Sequence, residues 1–388
     1  MYRIKKLNSI SNVIYSYLPE DKYLVTEEGD KYDAILVRSA DCHETVFPDK
    51  LLAVARAGAG VNNIPVDQCS QKGIVVFNTP GANANGVKEL VFCGMLIASR
   101  NIIPAVAWTK TLNGKGGDVM PLVEKGKKPF VGPELKGKTL GVIGLGAIGV
   151  MVANSANALD MNVIGYDPYI SIENAWGLSR NVERAVTLDT LLQKADYISV
   201  HIPLLDKTKN FLSSSEFSKM KKGVILLNFA RNGLVDYDAL TDGLQNGTVA
   251  KYVTDFPNDV LLGYENVIAI PHLGASTPES EENCAHMAAK QLKDYIETGS
   301  IVNSVNMPEC IVPPSENYRI AAIHKNTPNM VGRMTAILAE RNINIADMIN
   351  KSRGELAYTV FNLDEEACQE TIEKLSQIEG MIRIRVFS

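Results

Sequence analysis

The chain is constrained most by Gly144-Leu145-Gly146-Ala147-Ile148-Gly149, because of what flanks it. An apolar run, Thr139 to Ile143, precedes the glycines and reads as a buried parallel strand. The small-residue segment from Ala147 to Leu159 follows and reads as a helix. A second apolar run, Asn162 to Tyr166, ends at Asp167, about 20 residues past the glycines. This strand–turn–helix–strand order is the dinucleotide-binding βαβ pattern in its proper context. Gly144 lets the chain turn off the strand, Gly146 lets backbone approach a pyrophosphate, and Gly149 lets helix and strand pack closely. The helix N-terminus then offers free N–H groups and partial positive charge to phosphates. Asp167 suits two ribose hydroxyls and repels a 2′-phosphate, so NAD is expected rather than NADP.

Composition narrows the partners. The 388 residues suffice for two or three domains, and 46% hydrophobic with 21% charged residues is the balance of a soluble globular protein. A formal net charge of −5 argues against general nucleic-acid binding but leaves room for local cationic pockets. No apolar run approaches bilayer length, and Met1 to Asn8 lacks the apolar core of an export signal, so no membrane association is expected. Cys42, Cys69, Cys93, Cys284, Cys310 and Cys368 have no metal or redox spacing. They read as reduced thiols of a cytoplasmic protein, and no metal site is expected.

The fingerprint lies in the middle of the chain. The front segment also alternates, with expected strands at 33–37, 51–55 and 74–77, and it reads as a second, smaller α/β unit. Residues 88–100 read as a helix crossing between the units. Beyond Asp167, helices at 188–194, 215–221 and 237–245 alternate with strands at 196–201, 223–228, 249–255 and 267–270. A long helix from Pro278 to about Glu297 suits a return to the front unit. The expected division is therefore 1–100 with 272–304 for a discontinuous front domain and 101–271 for the nucleotide domain. The prolines near 307–314 mark 305–316 as a linker. Residues 317–388 carry a compact βαββαβ pattern. The fold class is α/β, with a Rossmann-type domain inserted into a flavodoxin-like one and a ferredoxin-like domain at the C-terminus.

Hydride transfer from a 2-hydroxy acid needs a cation for the carboxylate, a base for the hydroxyl proton and a carboxylate to tune that base. Candidates lie just past the strands of the nucleotide domain, where open α/β sheets place their ligands. Arg231 follows the strand ending at Asn228. His272, one of five histidines, follows Ile270-Pro271. Asp255 and Asp259 lie between them, and either is placed to orient the imidazole.

These residues sit in motifs that resemble a known family. Gly144 to Gly149, Val200-His201-Ile202-Pro203-Leu204, Asn228-Phe229-Ala230-Arg231 and Pro271-His272-Leu273-Gly274-Ala275 resemble successive signatures of the NAD-dependent D-2-hydroxyacid dehydrogenases. In the front domain, Val37-Arg38-Ser39 and the run from Ala55 to Asn62 resemble the branch that acts on 3-phosphoglycerate. The tail, around His324 to Pro328 and Ile343 to Ala346, resembles that branch's ACT regulatory domain.

The resemblance implies roles. Arg231 binds the substrate carboxylate and carbonyl oxygen, and His272 is the general acid–base. Arg38, Ser39 and Arg56 bind substrate, with Lys127 or Lys128 as a further cation. Ala147 and Ile148 lie on the pyrophosphate. Phe229, Ala230, Arg231, Asp255, His272, Gly274 and Ala275 line the nicotinamide side. His324, Asn326 and Asn344 match positions that bind L-serine across a subunit interface. A homodimer or homotetramer is implied.

One stretch departs from the family pattern. Thr254-Asp255-Phe256-Pro257-Asn258-Asp259 stands where an aspartate is followed five residues later by a glutamate. Aligning Phe256-Pro257 makes Asp259 the partner of His272 and leaves Asp255 for the nicotinamide amide; aligning Asp255 shortens the loop by one. Glu265 is a weaker candidate. The expected activity is oxidation of 3-phosphoglycerate to 3-phosphooxypyruvate, opening serine synthesis. The rivals are a reductase for glyoxylate or hydroxypyruvate, and a non-catalytic NAD sensor or corepressor on the same scaffold.

Overall fold

A computed structural model describes residues 1–313 and 317–387. The chain divides into two compact units, Ala84–Thr277 on one side and Met1–Asn83 with Pro278–Ser388 on the other.

The second unit to form along the chain, Ala84–Thr277, holds the fingerprint, but the strands are numbered from the N-terminus. In the first unit β1 (Tyr2–Leu7), β2 (Tyr23–Thr26), β3 (Ala34–Val37), β4 (Ala53–Arg56) and β5 (Val75–Phe77) make a parallel sheet ordered β2-β1-β3-β4-β5. That is the flavodoxin-like order. β3 and β5 are buried along their whole length, as near-continuous apolar strands covered on both faces must be. The helix Pro278–Thr298 returns to this unit and buries Cys284, Ala285, Ala288, Ala289, Leu292, Tyr295 and Ile296 in the same core as β3, β4 and β5.

In the other unit β6 (Thr139–Ile143), β7 (Asn162–Tyr166), β8 (Glu183–Arg184), β9 (Tyr197–Val200), β10 (Val224–Asn228), β11 (Val249–Thr254) and β12 (Val267–Ala269) are all parallel. Their order, β12-β11-β10-β9-β6-β7-β8, is the doubly wound one, with the switch point between β6 and β9. The two-residue β8 and the helices Ile102–Lys110, Val119–Gly126 and Ile172–Gly177 are additions to the pattern read from sequence.

The boundary between units falls at 83/84, not at 100/101. The helix Ala84–Arg100 buries Val87, Val91, Gly94, Met95 and Ala98 at helical spacing. A β-carbon on Gly94 would stand 3.1 Å from Val253 and 3.2 Å from Phe229, so this face is fitted to the nucleotide sheet. The second crossing falls at 277/278, which leaves His272 in the nucleotide unit.

The C-terminal pattern forms an antiparallel sheet of β13 (Tyr318–Lys325), β14 (Ile345–Arg353), β15 (Leu356–Leu363) and β16 (Met381–Phe387), ordered β14-β15-β13-β16. Strand alternation gives the sheet two apolar faces. Ile320, Ala322, Phe361 and Leu363 pack with Met334, Leu338 and Leu375 of its two helices. Ala321, Ile323, Tyr358 and Val360 join the core of the front domain. Arginines bind this face down: Arg385 donates 3.0 Å bonds to the carbonyls of Tyr295 and Ile296, and Arg383 donates to the carbonyls of Asp49 and Leu51. The antiparallel order is that of the expected ferredoxin-like domain, and the sheet clusters with the first unit.

The expected linker is also packed where it is described. The Asn306 side chain accepts from Val76 N–H at 2.9 Å and donates to Ile74 C=O at 2.9 Å, extending the β5 edge as a strand would. Ile301 and Cys310 form a bridge, and Met307 is buried. Residues 314–316 of the expected linker, and residue 388, lie outside the described residues.

Candidate active site

The glycine turn leaves β6 at Gly144, whose φ of +91° lies in the left-handed region. A β-carbon at Gly149 would fall 1.9 Å from the Gly144 carbonyl oxygen, so helix and turn approach as only glycine permits. A β-carbon at Gly146 would meet nothing within 4 Å. Space therefore opens beside Gly146 at the start of the helix Ala147–Ala158, where the N–H groups of Ala147, Ile148 and Gly149 precede the first helical bond, from Val150 N–H to Gly146 C=O. Asp167, at the end of β7, accepts Leu145 N–H and Tyr169 N–H, each at 2.8 Å. These bonds tie the acid to the glycine turn and leave lone pairs on both oxygens for ribose hydroxyls.

On the other side of the switch point, Asn228 ends β10 almost wholly buried and builds the turn that presents Arg231. Its side chain accepts Ala230 N–H at 3.1 Å and donates to Arg231 C=O at 3.0 Å. Thr254 Oγ1 in turn donates to Asn228 C=O at 2.9 Å. These two bracing residues were not singled out from the sequence; a polar pair ending adjacent apolar strands was the available signal. Phe229 and Ala230 are buried, and Arg231 is exposed.

Asp255 is 1% exposed. Its Oδ2 accepts Gly274 N–H at 3.1 Å, while its buried Oδ1 has no partner. Burial pushes its carboxyl above the usual range; the Gly274 N–H and the charges of His272 and Arg231 pull it back. The His272 ring packs on Phe256 with centroids 4.9 Å apart. The structure thus gathers Arg231, Asp255, His272 and Gly274, with Ala275 adjoining. Asp259 is not with them: it is exposed in the first turn of the short helix Asp259–Leu262, and no hydrogen bond or ion pair joins it to His272. Glu265 is exposed as well. Asp255 is the carboxylate on which the charges of His272 and Arg231 act. Thr254 is held in the β11 ladder, so Asp255 is the first residue beyond it.

His201, at the end of β9, completes this region. Its Nε2 lies 2.8 Å from Ser199 Oγ, and its buried Nδ1 has no partner. Burial depresses its pKa from 6.5 to about 4. The folded state thus prefers the neutral ring. Its stabilising contribution is complete above the unfolded value of 6.5 and is lost as pH falls through about 4. Denaturant midpoints measured between these pH values are expected to fall with a slope that flattens in His201→Asn; an unchanged slope would refute the assignment.

The orphaned Asp255 Oδ1, an acceptor of the kind a carboxamide NH2 satisfies, and the open cradle at Gly146 both fit a nicotinamide dinucleotide. Fold and site define the class: a dinucleotide-dependent oxidoreductase with a general base beside a cation. The comparisons agree. Residues 92–274 match the family model described as D-isomer specific 2-hydroxyacid dehydrogenase, NAD binding domain. The chain is 33% identical to the D-3-phosphoglycerate dehydrogenase of Haemophilus influenzae, over 87% of this chain and 81% of that one. It is 37% identical to the D-3-phosphoglycerate dehydrogenase of Methanocaldococcus jannaschii, over 86% of this chain and 60% of that one. An NAD+-bound 3-phosphoglycerate dehydrogenase structure from Entamoeba histolytica superposes with a TM-score of 0.62 at 27% identity, covering 79% of this chain and 98% of that one. The chain belongs to the D-3-phosphoglycerate dehydrogenase family of NAD-dependent D-2-hydroxyacid dehydrogenases, and NAD is its cofactor.

In the first unit, Arg38 and Ser39 follow β3 and Arg56 ends β4, all at the carboxyl edge of that sheet. Arg56 Nε donates to Arg38 C=O at 3.0 Å. Lys127 is ion-paired with Glu124, and Lys128 is exposed. In the C-terminal sheet the three residues matched to a serine site are each hydrogen-bonded within the chain. His324 is 2% exposed, with its ring nitrogens each 2.8 Å from Lys325 O and Thr359 Oγ1, and burial lowers its pKa. Asn326 donates to Gly354 C=O at 3.1 Å and Asn344 to Asp364 Oδ2 at 2.6 Å. Of the three, only Asn344 lines the adjoining hollow of about 420 Å³, with Gly332, Ala336 and Ile343.

Proposed function

We propose that this chain catalyses the NAD-dependent oxidation of 3-phosphoglycerate to 3-phosphooxypyruvate, the first step of L-serine biosynthesis. The observation that carries the reading is the buried carboxylate of Asp255 under the His272–Arg231 pair, in a chain similar over most of its length to enzymes of that name. Arg231 binds the substrate carboxylate and polarises the C2 oxygen. His272 takes the hydroxyl proton, so that the products are the keto acid, NADH and a proton. Bound NAD supplies the acceptor for the C2 hydride. Asp255 carries a buried carboxyl on which the charges of His272 and Arg231 act. Arg38 and Arg56 offset the substrate's phosphate charge, with Ser39 beside them.

The carboxylate that serves His272 is read from the pH profile of kcat/KM in two variants, and Asp259→Asn is expected to shift it. A shift in Asp255→Asn instead would make Asp255 the partner.

The decisive assay is NADH formation from 3-phosphoglycerate, run beside reduction of glyoxylate and hydroxypyruvate. Turnover confined to the unphosphorylated acids would favour the reductase reading, and none with any substrate the NAD-sensor reading. The protein works in the cytoplasm, consistent with its six free cysteines; a disulfide found in protein isolated from cells would count against this. It assembles as a homodimer through the nucleotide unit, where Leu96, Ile102, Ile103 and Val106 expose apolar side chains near a hollow of about 590 Å³ lined by Phe92, Cys93 and Leu159. A monomer in sedimentation would exclude this. Pairing of the C-terminal sheets would make a tetramer. Serine binds across a subunit interface at His324, Asn326 and Asn344 and lowers activity; a flat response to millimolar serine would remove this part of the reading.

A further inference from the structure

The residues around Arg38 constrain everything except its guanidinium. Asn8, itself at φ +72°, places its Oδ1 to accept Ser39 N–H at 3.1 Å and Ala40 N–H at 2.6 Å. Asn63 donates to Ala40 C=O at 2.7 Å, and Arg56 Nε holds Arg38 C=O. The loop that carries Arg38 and Ser39 is thus pinned from β1, from β4 and from the turn after it. The guanidinium of Arg38 meets a carboxylate: its Nη2 is 2.5 Å from Glu281 Oε1, in the first turn of the helix Pro278–Thr298.

Glu281 stands in the first turn of that helix, where a negative side chain is well placed against the helix dipole. Arg38, Arg56 and Glu281 also converge on one buried point. The Cys284 thiol, one turn along the same helix, is pushed up by burial, pulled down by Arg38 and Arg56, and pushed back up by Glu281. The side chains of Arg38 and Glu281 are 39% and 43% exposed. Such a pair is weakly held and open to exchange with an anion from solution. An anion that takes Arg38 must also come to rest near the Glu281 carboxylate.

We propose that Glu281 is a charge-selectivity residue: it cancels one of the two arginine charges assigned to the substrate, those of Arg38 and Arg56, and competes with the substrate phosphate for Arg38. This rests on the reading that Arg38 binds that phosphate. Glu281 thereby weakens binding of phosphorylated substrates and leaves unphosphorylated ones unaffected.

The test is kinetic, on the full chain with NAD. Glu281→Gln keeps the size of the side chain and removes its charge. Its KM for 3-phosphoglycerate is expected to fall roughly three- to tenfold, with kcat and the KM for NAD unchanged, the KM for glycerate unchanged, and a smaller gain at high ionic strength. Glu281→Asp keeps the charge and is expected to keep the parental KM. An unchanged KM in Glu281→Gln overturns the proposal, and a raised KM shows instead that Glu281 holds Arg38 in its working position. Arg38→Ala separates the two readings. A raised KM for 3-phosphoglycerate in that variant upholds the role of Arg38, so that a silent Glu281→Gln then refutes the competition alone. An unchanged KM in Arg38→Ala refutes the phosphate role itself.

Discussion

His272→Ala is expected to lower kcat for 3-phosphoglycerate oxidation about 10²- to 10⁴-fold while NAD still binds. The alcohol proton has to leave as the C2 hydride does, and no other side chain in this group is placed to take it. Arg231 is a permanent cation, and Asp255 is buried and already bonded to Gly274 N–H. What survives the substitution is orientation and the polarising charge of Arg231, which is why turnover falls rather than vanishes. The ring packs on Phe256 and lies beyond the last strand residue, Ala269, so its loss leaves the sheet intact. NAD affinity by fluorescence titration, read beside steady-state turnover, makes the check. Near-normal turnover would sink the acid–base assignment, and loss of NAD binding would show that the ring is structural.

The second large effect separates two glycines of one motif. Gly149→Ala places a methyl 1.9 Å from the Gly144 carbonyl oxygen, inside backbone that cannot yield without parting the turn from its helix. Overpacking of this kind costs roughly 1–3 kcal/mol or more, and here it falls where two core segments meet. A fall in melting temperature of several degrees is expected, with NAD binding lost alongside. Gly146→Val is the contrast. Its β-carbon meets nothing within 4 Å, and its φ of −76° is open to any residue, so the variant is expected to fold with an unchanged melting temperature. The same side chain occupies the space beside the helix N-terminus where the pyrophosphate approaches, so NAD affinity is expected to fall about 100-fold or more. If Gly146→Val binds NAD normally, the cradle is not where the phosphates sit.

The glycine turn, Asp167, Arg231 and His272 were legible because each depends on local chemistry at the end of an apolar run. Residue type and position along the strand suffice to nominate them. Asp255 and Asp259 were not separable in that way. Side chains alternate along a strand, so a one-residue shift exchanges the residue that faces the site for the one that faces away. Pairing Thr254 opposite Asn228 and Ala269 makes Thr254 the last ladder residue and Asp255 the first beyond it, which buries Asp255 and leaves Asp259 exposed. His324 shows the same limit. Its motif is clear in sequence, but one of the two bonds that enclose it comes from Thr359 on the facing strand, 35 residues away.

By itself the sequence determined the elements and their chemistry: two parallel α/β sheets, an antiparallel tail, a dinucleotide turn, and a base and a cation beyond successive strands. Those follow from hydrophobic period, glycine placement and the identity of single side chains, all local properties. Tertiary structure alone decided which faces meet. The apolar stripe of 84–100 announces burial but not the sheet it is buried on, and packing against Phe229 and Val253 assigned it to the nucleotide unit. The prolines of 305–313 suggested a free linker, and Asn306 bonded it to β5. Apolar surface is non-directional, so a sequence can require that it be covered without specifying by what; that is settled only by the shape and hydrogen-bonding groups of the partner surface.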